Sequence, residues 1–464
     1  MKNIDFISIN NYRAIKNIEL LPKSINIFVG PNNCGKSSIL EAIAMNLSGK
    51  NGFTDEGGAN IWSFLIASKK YDPDFLFFNN SKQIKIESNN PDKTNQIIFE
   101  TFKEGYPDGE TGKIIQNFLQ TQVSTFLEKA STISEIKESY LFIPKKNTQT
   151  SLRQITINDF IGHDYSDEYL DNSFKQQYQE TDDVLQMSFI NYMTYLRDNL
   201  IFELFRMKKM VLTGYCNDKI EYIYVYFYNL PIYGPFGSNA DKNRTAYDNI
   251  NRRFYMELLG TRVNRTKLVQ VLNTSEKTHK NLITCLRNSN TPSEISYLHD
   301  LVIDNNKINE TIENLREKIK YFQDVRKTDT GLQIFIRDQK NPLPISSMGD
   351  GFNSLLKLTM MNNLLDNGII ILEEPESSLH PGFLFILSEA ILNNSKNSQF
   401  FISTHSLDFI KSLLKVAEWN NQLDELQIVR MHTRLDFQNQ DIECLSGIEA
   451  KEELEEIGID LRGI

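Results

Sequence analysis

The sequence predicts an α/β chain whose fold is in two halves separated by a large, mostly helical insertion. Three observations carry that reading. A strand, Ser24 to Val29, runs directly into the glycine loop Gly30-Pro31-Asn32-Asn33-Cys34-Gly35-Lys36-Ser37-Ser38, and helical spacing follows from Ile39 to Ala44. Far downstream, the apolar runs Gly368 to Leu372 and Gln399 to Ser403 alternate with helical stretches, as parallel strands buried on both faces do. Between these halves, roughly Asp167 to Phe322 reads mostly as helix.

Taken in order, the opening residues alternate in strand fashion through Ile4, Phe6, Ile7 and Ile9, then the polar turn Asn10-Asn11, then Tyr12 to Ile18, ahead of the strand at Ser24 to Val29. Gln83 to Glu87 and Gln96 to Glu100 are short strands among Asn, Pro and Asp, and Tyr140 to Pro144 is a buried strand closed by proline. Asp182 to Leu212 holds long apolar runs without Pro or Gly. Ile308, Ile312, Leu315, Ile319 and Phe322 make a heptad seam about two heptads long, so a helix packed in an antiparallel pair is expected rather than a free coiled coil. Gly331 to Ile336 is a strand, Phe352 to Leu365 and Phe383 to Leu392 are helices, and Ile428 to Thr433 is a last strand. The expected organisation is residues 1–150 as the first half, 151–325 as the insertion, 326–415 as the second half, and 416–464 as a strand with an acidic tail.

Composition narrows the class. The 464 residues are 40% hydrophobic and 24% charged, enough for two or three packed units. No apolar run approaches the ~20 residues of a membrane-spanning helix. The start MKNIDFISINNYRAIKN lacks a signal-peptide layout. Cys34, Cys216, Cys285 and Cys444 form no CxxC pair, so neither a disulfide frame nor a thiolate zinc site is suggested. A cytoplasmic chain without a membrane partner is expected. With 50 Lys+Arg against 60 Asp+Glu the net charge is -10, which does not indicate bulk nucleic-acid affinity but leaves room for a local basic strip.

Four segments carry chemistry. In the phosphate-loop pattern Gly30-x4-Gly35-Lys36-Ser37, glycines let backbone N–H groups curl around phosphates, Lys36 bridges β- and γ-phosphates, and the Ser37 hydroxyl takes Mg²⁺. Carboxylates at the end of a buried strand are costly unless a cation or reacting group uses them. Glu373 is therefore expected in the Mg²⁺ shell, and Glu374 is expected to orient or deprotonate the attacking water. A solvated acidic turn after the strand is the alternative reading of this segment. Ser346-Ser347-Met348-Gly349-Asp350-Gly351 precedes a helix and makes a second anion site; a plain helix cap is its simpler reading. In Ser403-Thr404-His405-Ser406, His405 falls at the strand-end edge where open α/β folds collect ligands, although a lone histidine is more often structural.

Together these segments resemble an ABC-type ATPase. Asn11-Tyr12-Arg13 before the loop and the helical insertion resemble the SMC/RecF-like branch. Glu373-Glu374-Pro375-Glu376 with Leu379-His380-Pro381 resembles the overcoming-lysogenisation-defect (OLD)/AAA-15 ATPases. The resemblance covers about residues 1–50 and 325–415. It implies ATP and Mg²⁺ binding by Gly30 to Ser38, with Arg13 near the nucleotide. It implies Ser347, Gly349 and Gly351 as a signature acting in trans, Glu374 as catalytic, His405 as switch histidine, and Ser377 and Ser378 in a loop crossing the dimer interface. Glu373 replaces the usual Walker B aspartate, and no glutamine loop is assigned. Only 59 residues follow His405, too few for the fused TOPRIM nuclease of OLD proteins, so any nuclease is expected on a separate chain. That layout resembles the ATPase subunits of two-gene phage-defence systems such as PARIS and Septu.

The expected function is an ATPase sensor and scaffold that dimerises around ATP, responds to a phage-encoded trigger and controls a nuclease effector. Glu449 to Ile457 is an amphipathic ending that could dock that effector or lie solvated. The alternative is a RecF/SMC-like ATPase of DNA repair or chromosome maintenance, which needs a basic DNA track; a transporter ATPase is disfavoured by the insertion.

Overall fold

A computed structural model describes residues 4–48, 73–131, 197–198, 200–227, 254, 267–273, 282–285, 292–364, 368–377, 379–432, 441–457 and 460. The expected strand at 140–144 and residue Ser378 lie outside them. The chain forms two compact units, one of residues 1–100, 213–222 and 273–464, the other of residues 101–212 and 223–272.

In chain order the strands are β1 (Phe6–Tyr12), β2 (Ile15–Leu20), β3 (Ile25–Val29), β4 (Gln83–Asn90), β5 (Lys93–Phe102), β6 (Lys209–Cys216), β7 (Lys219–Phe227) and β8 (Lys267–Asn273). They continue with β9 (Leu282–Cys285), β10 (Phe322–Thr328), β11 (Gly331–Ile336), β12 (Leu343–Pro344), β13 (Ile369–Glu373), β14 (Gln399–Ser403), β15 (Leu426–His432) and β16 (Asp441–Ser446). The helices are α1 (Lys36–Ser48), α2 (Gly109–Ser131), α3 (Pro292–Asp304), α4 (Ile308–Lys318), α5 (Asp350–Leu364), α6 (Pro381–Asn394), α7 (Leu407–Trp419) and α8 (Gly447–Glu452).

The first unit is built on a six-stranded sheet in the order β16-β15-β3-β14-β13-β9. All neighbours run parallel except the antiparallel edge strand β16. Every residue of β3 and β14 is buried, which suits strands covered on both faces. One face packs Ile25, Ile27, Ile370, Leu372, Phe400 and Ile402 with residues of α5, α6 and α7 in a single core. The other face receives α1, which packs on β13 and β14. Alternation along β13 sends Leu372 into that core and turns Glu373 to the α1 side.

The order of strands is what makes a site. β14 lies between β3, which feeds the glycine loop, and β13, which ends in the acidic pair. Register aligns Ser403 with Phe28 on one side and with Glu373 on the other. The ends of three parallel strands therefore meet at one edge.

An antiparallel sheet in the order β2-β1-β4-β5 lies beside α1. Asn46 on α1 donates to the Ile86 carbonyl at 3.0 Å and so ties the helix to β4. The β1–β2 turn differs from the expectation. Asn10 and Asn11 remain in β1, and the chain reverses at Arg13-Ala14, with Tyr12 paired to Ile15. Asn10 is paired on both sides, to Asn17 and Lys85, whereas Asn11 has no partner in either register and takes a left-handed φ of 59°, an irregularity within the strand rather than its turn.

A third sheet, β10-β11-β12, joins α3, α4 and α5. The heptad seam closes here: Leu315, Ile319 and Phe322 are buried core, Ile308 and Ile312 pack against it, and α4 contacts both α3 and α5. The seam is packing, and Phe322 already belongs to β10.

Strands β6 to β9 lie in the stretch expected to be mostly helical. β7, KIEYIYVYF, is rich in aromatic and β-branched residues, and that preference prevails over the helical trend of its flanks. In the second unit, fully buried Lys209 donates to the Gly105 and Phe205 carbonyls at 2.9 and 2.8 Å, with its ammonium 4.6 Å from the Tyr106 ring centre. Burial pushes this lysine down to about 7, opposed by the charge of Glu104.

The C-terminal segment is stitched into the first unit. Arg430, 7% exposed, pairs with Glu443 at 2.7 Å and Glu453 at 2.5 Å. α8 carries a capping box of Ser446 and Glu449, Ala450 is buried, and Leu454 packs against the core. Ile448, at the start of α8, is 42% exposed.

Candidate nucleotide site

The glycine loop follows β3 and leads into α1. Its turn uses three positive φ angles, 148° at Gly30, 66° at Asn33 and 102° at Gly35. Such a backbone turns successive N–H groups inward and forms an anion-binding concavity. Gly30 is required by space as well as by φ. A Cβ there would stand 2.6 Å from the Met431 carbonyl oxygen and 2.9 Å from Cys34 Sγ. Met431, at the end of β15, therefore backs the start of the loop, a wall that the sequence alone did not reveal. We expect Gly30→Ala to lower nucleotide affinity at least ~10-fold through a displaced loop, measured by equilibrium titration with a fluorescent ATP analogue.

Lys36 is 6% exposed, and its Nζ donates to the Gly30 and Pro31 carbonyls, each at 2.9 Å, with Cys34 Sγ at 3.6 Å. Burial lowers its pKa, while the nearby thiol and the charges of Glu374 and Glu373 favour the ammonium. Ser37 is half-buried, Asn32 and Asn33 are exposed, and Cys34 and Ser38 are buried.

The acidic pair stands across β14 from the loop. Glu373 closes β13; Glu374 follows it at a φ of 47°, a left-handed conformation for a residue with a Cβ. Its N–H donates to the Ser403 carbonyl at 2.9 Å, and its own carbonyl accepts from Ser377 N–H at 3.1 Å. These bonds tie it to the end of β14. His405 Nε2 lies 3.6 Å from Glu374 Oε1, and both side chains keep part of their surface open. The structure thus brings together Lys36, Glu373, Glu374 and His405, four residues from three sequence segments.

Two residues not singled out from the sequence join them. Glu376 is 7% exposed and accepts a hydrogen bond from the Thr404 hydroxyl, which is fully buried. Burial, with the charge of Glu374, raises the Glu376 pKa against the hydroxyl and the backbone N–H groups that favour its ionised form. Its period-breaking place after Pro375 gave no cue to this burial.

Arg13 and the serine-glycine turn sit elsewhere. Arg13, at a φ of 51°, pairs with Glu41 Oε2 at 2.6 Å, and the Tyr12 hydroxyl reaches the same oxygen at 3.1 Å. Glu41 is fully buried on α1, five residues beyond Lys36, so Arg13 is anchored to the helix that the loop begins. Ser346, Ser347, Gly349 and Asp350 are exposed, and nothing lies within 4 Å of a Cβ built on Gly349. Gly351 is half-buried in the first turn of α5, where Phe352 and Asn353 donate to the Gly349 carbonyl. The exposed Ser377 follows the acidic pair.

The donor set suits a nucleoside triphosphate with a hard divalent cation. Loop amides and a buried ammonium are donors suited to phosphate oxygens, and the Ser37 hydroxyl and the Glu373 carboxylate are oxygen ligands of the kind a hard cation prefers. Among the described residues, no helix is long and apolar enough to cross a membrane.

Several known proteins are similar to this chain. The uncharacterized protein MJECL11 of Methanocaldococcus jannaschii is 34% identical over 118 residues, which is 25% of this chain and 100% of that protein. MJECL10 of the same organism is 39% identical over 89 residues, 18% of this chain and 39% of that protein. Among solved structures, an Smc head domain from Pyrococcus furiosus bound to the C-terminal domain of ScpA aligns with a TM-score of 0.40 and 14% identity, covering 99% of this chain and 100% of that one. The SMC head domain from Thermotoga maritima aligns at 0.39 and 11%, covering 96% and 100%. The AAA_15 family, described as an AAA ATPase domain, matches residues 1–410. With its α/β P-loop fold and that match, the chain belongs to the AAA ATPase domain family and is an ATP-binding and ATP-hydrolysing enzyme.

Proposed function

We propose that two copies of the chain close head to tail on ATP, and that this dimer is a sensor and scaffold controlling a separate nuclease in antiphage defence. The observation that carries the ATP half is the Glu374–His405 pair, 3.6 Å apart, beside buried Lys36 at a single sheet edge. In this reading Gly30 to Ser38 bind the phosphates through backbone amides, and Lys36 exchanges loop carbonyls for β- and γ-phosphate oxygens. Ser37 and Glu373 hold Mg²⁺, which neutralises phosphate charge when bound. Glu374 accepts a proton from the attacking water, and His405 contacts the γ-phosphate. Arg13 adds positive charge near the nucleotide from its anchor on Glu41.

The exposure of Ser347 and Gly349, just ahead of half-buried Gly351 at the start of α5, supports reading in trans. Nothing lies within 4 Å of a Cβ built on Gly349, so a facing copy's γ-phosphate has room to approach the turn. Closing on ATP and opening after hydrolysis turns nucleotide state into geometry. The defence half rests on the resemblance of Glu373 to Pro381 to OLD-type ATPases.

Co-expression of the chain with its neighbouring genes, followed by affinity capture in ATP, tests the defence half. A separate nuclease chain retained with the ATPase, and released by a phage protein, is the expected result. Capture of DNA alone, with ATPase sharply raised by duplex DNA, would instead place the chain among RecF/SMC-like repair ATPases.

A further inference from the structure

The loop after β13 and the loop after β14 carry Glu374 and His405, and a side chain that neither role uses joins them. Glu376, 7% exposed, accepts from the Thr404 hydroxyl through Oε1, while its Oε2 is buried without a hydrogen-bond partner. Thr404 is fully buried, and its oxygen also accepts from Ser406 N–H at 2.9 Å. Ser406 in turn caps α7 by accepting from Phe409 N–H at 3.1 Å. A chain of bonds thus runs from the acidic loop, through the residue before His405, into the helix after it.

A buried carboxyl with one oxygen unmatched is unfavourable for folding alone, and an apolar side chain would fill the place at less cost. Glu374 meanwhile occupies a left-handed φ of 47°, which persists only where surroundings over-determine it. Its main-chain bonds to Ser403 and Ser377 fix the peptide on either side. They do not fix the distance between its carboxylate and the imidazole. Glu376 supplies that constraint, because it bridges the two loops two residues beyond Glu374 and one residue before His405.

We infer that Glu376, through Thr404, is a positioning residue that holds Glu374 in register with His405 for the attack of water. The inference rests on the proposed roles of Glu374 and His405. Glu376 touches neither nucleotide nor water in this account, so its removal should change turnover and leave nucleotide binding alone.

The test is steady-state ATPase with separate ATP affinity for five variants. Glu376→Ala and Thr404→Val should each lower kcat at least ~10-fold, with KM and ATP affinity within ~3-fold of the parent. Glu376→Gln retains an oxygen for the Thr404 hydroxyl, and Thr404→Ser retains the donor; both should stay within ~3-fold in kcat. The double variant Glu376→Ala/Thr404→Val should be no slower than the worse single one, since both remove the same bridge. Preserved ATP affinity shows that each variant is folded, and the conservative pair carries the test if the truncations are not. Normal turnover in Glu376→Ala, or a fall in ATP affinity parallel to that in kcat, overturns the inference. If Glu374→Gln turns over normally, the underlying reading fails instead.

Discussion

Lys36→Ala abolishes measurable ATP binding at concentrations that saturate the parent chain. The ammonium is 6% exposed and already satisfied by two carbonyls at 2.9 Å, so its reach and desolvation are prearranged. Exchanging those acceptors for phosphate oxygens gives charge-assisted hydrogen bonds of about 1.5–3 kcal/mol each. Loss of two such bonds corresponds to at least ~100-fold in affinity. Isothermal titration with ATP and Mg²⁺ reads the effect directly. The truncation also leaves the Gly30 and Pro31 carbonyls without their donor, so Lys36→Met is a useful companion because it keeps the buried aliphatic stem. Equal loss in both variants assigns the effect to the charge.

Glu374→Gln has the second large effect, on turnover rather than binding. A positioned general base contributes ~10²–10⁴-fold, and the amide keeps the shape while losing the proton acceptor. The expected result is a fall in kcat of at least ~100-fold with ATP still bound, read in a single-turnover assay. Glu374 sits at a φ that the amide tolerates as well as the acid does, so the 3.6 Å approach to His405 survives the change. ATP hydrolysis at the parental rate would remove Glu374 from the catalytic role and leave Glu373 or His405 to be examined.

The site was legible where backbone geometry dictates residue type. Gly30 and Gly35 occupy positive φ angles, and Gly30 also faces the Met431 carbonyl, so a loop of this shape admits few other residues there. The apolar runs that became β13 and β14 were equally plain, because strands buried on both faces leave no polar alternation. What the runs did not disclose is their order. That β14 separates β3 from β13, and so sets His405 between Lys36 and the acidic pair, depends on pairing across more than three hundred residues.

Other features were hidden for local reasons. Asn10-Asn11 has the composition of a turn, yet Asn10 is paired on both sides within β1 and only Asn11 takes a left-handed φ. β7 carries a strand pattern inside a stretch whose neighbours favour helix. Glu376 follows a proline in an acidic run that gives no cue to its burial; the fold shows it buried on Thr404. Arg430 likewise gives no sign in sequence that it gathers Glu443 and Glu453 from the acidic ending.

The account stands most directly on whether each ATP is shared by two copies through the exposed Ser347 turn. Native mass measurement of Glu374→Gln, with and without ATP and Mg²⁺, beside the same protein carrying Ser347→Glu, addresses it. Glu374→Gln should shift from one chain to two on adding ATP, and the doubly substituted chain should bind ATP yet remain single, because a carboxylate at the turn repels the facing γ-phosphate. A dimer that forms without ATP, or one that Ser347→Glu leaves intact, would contradict a shared site.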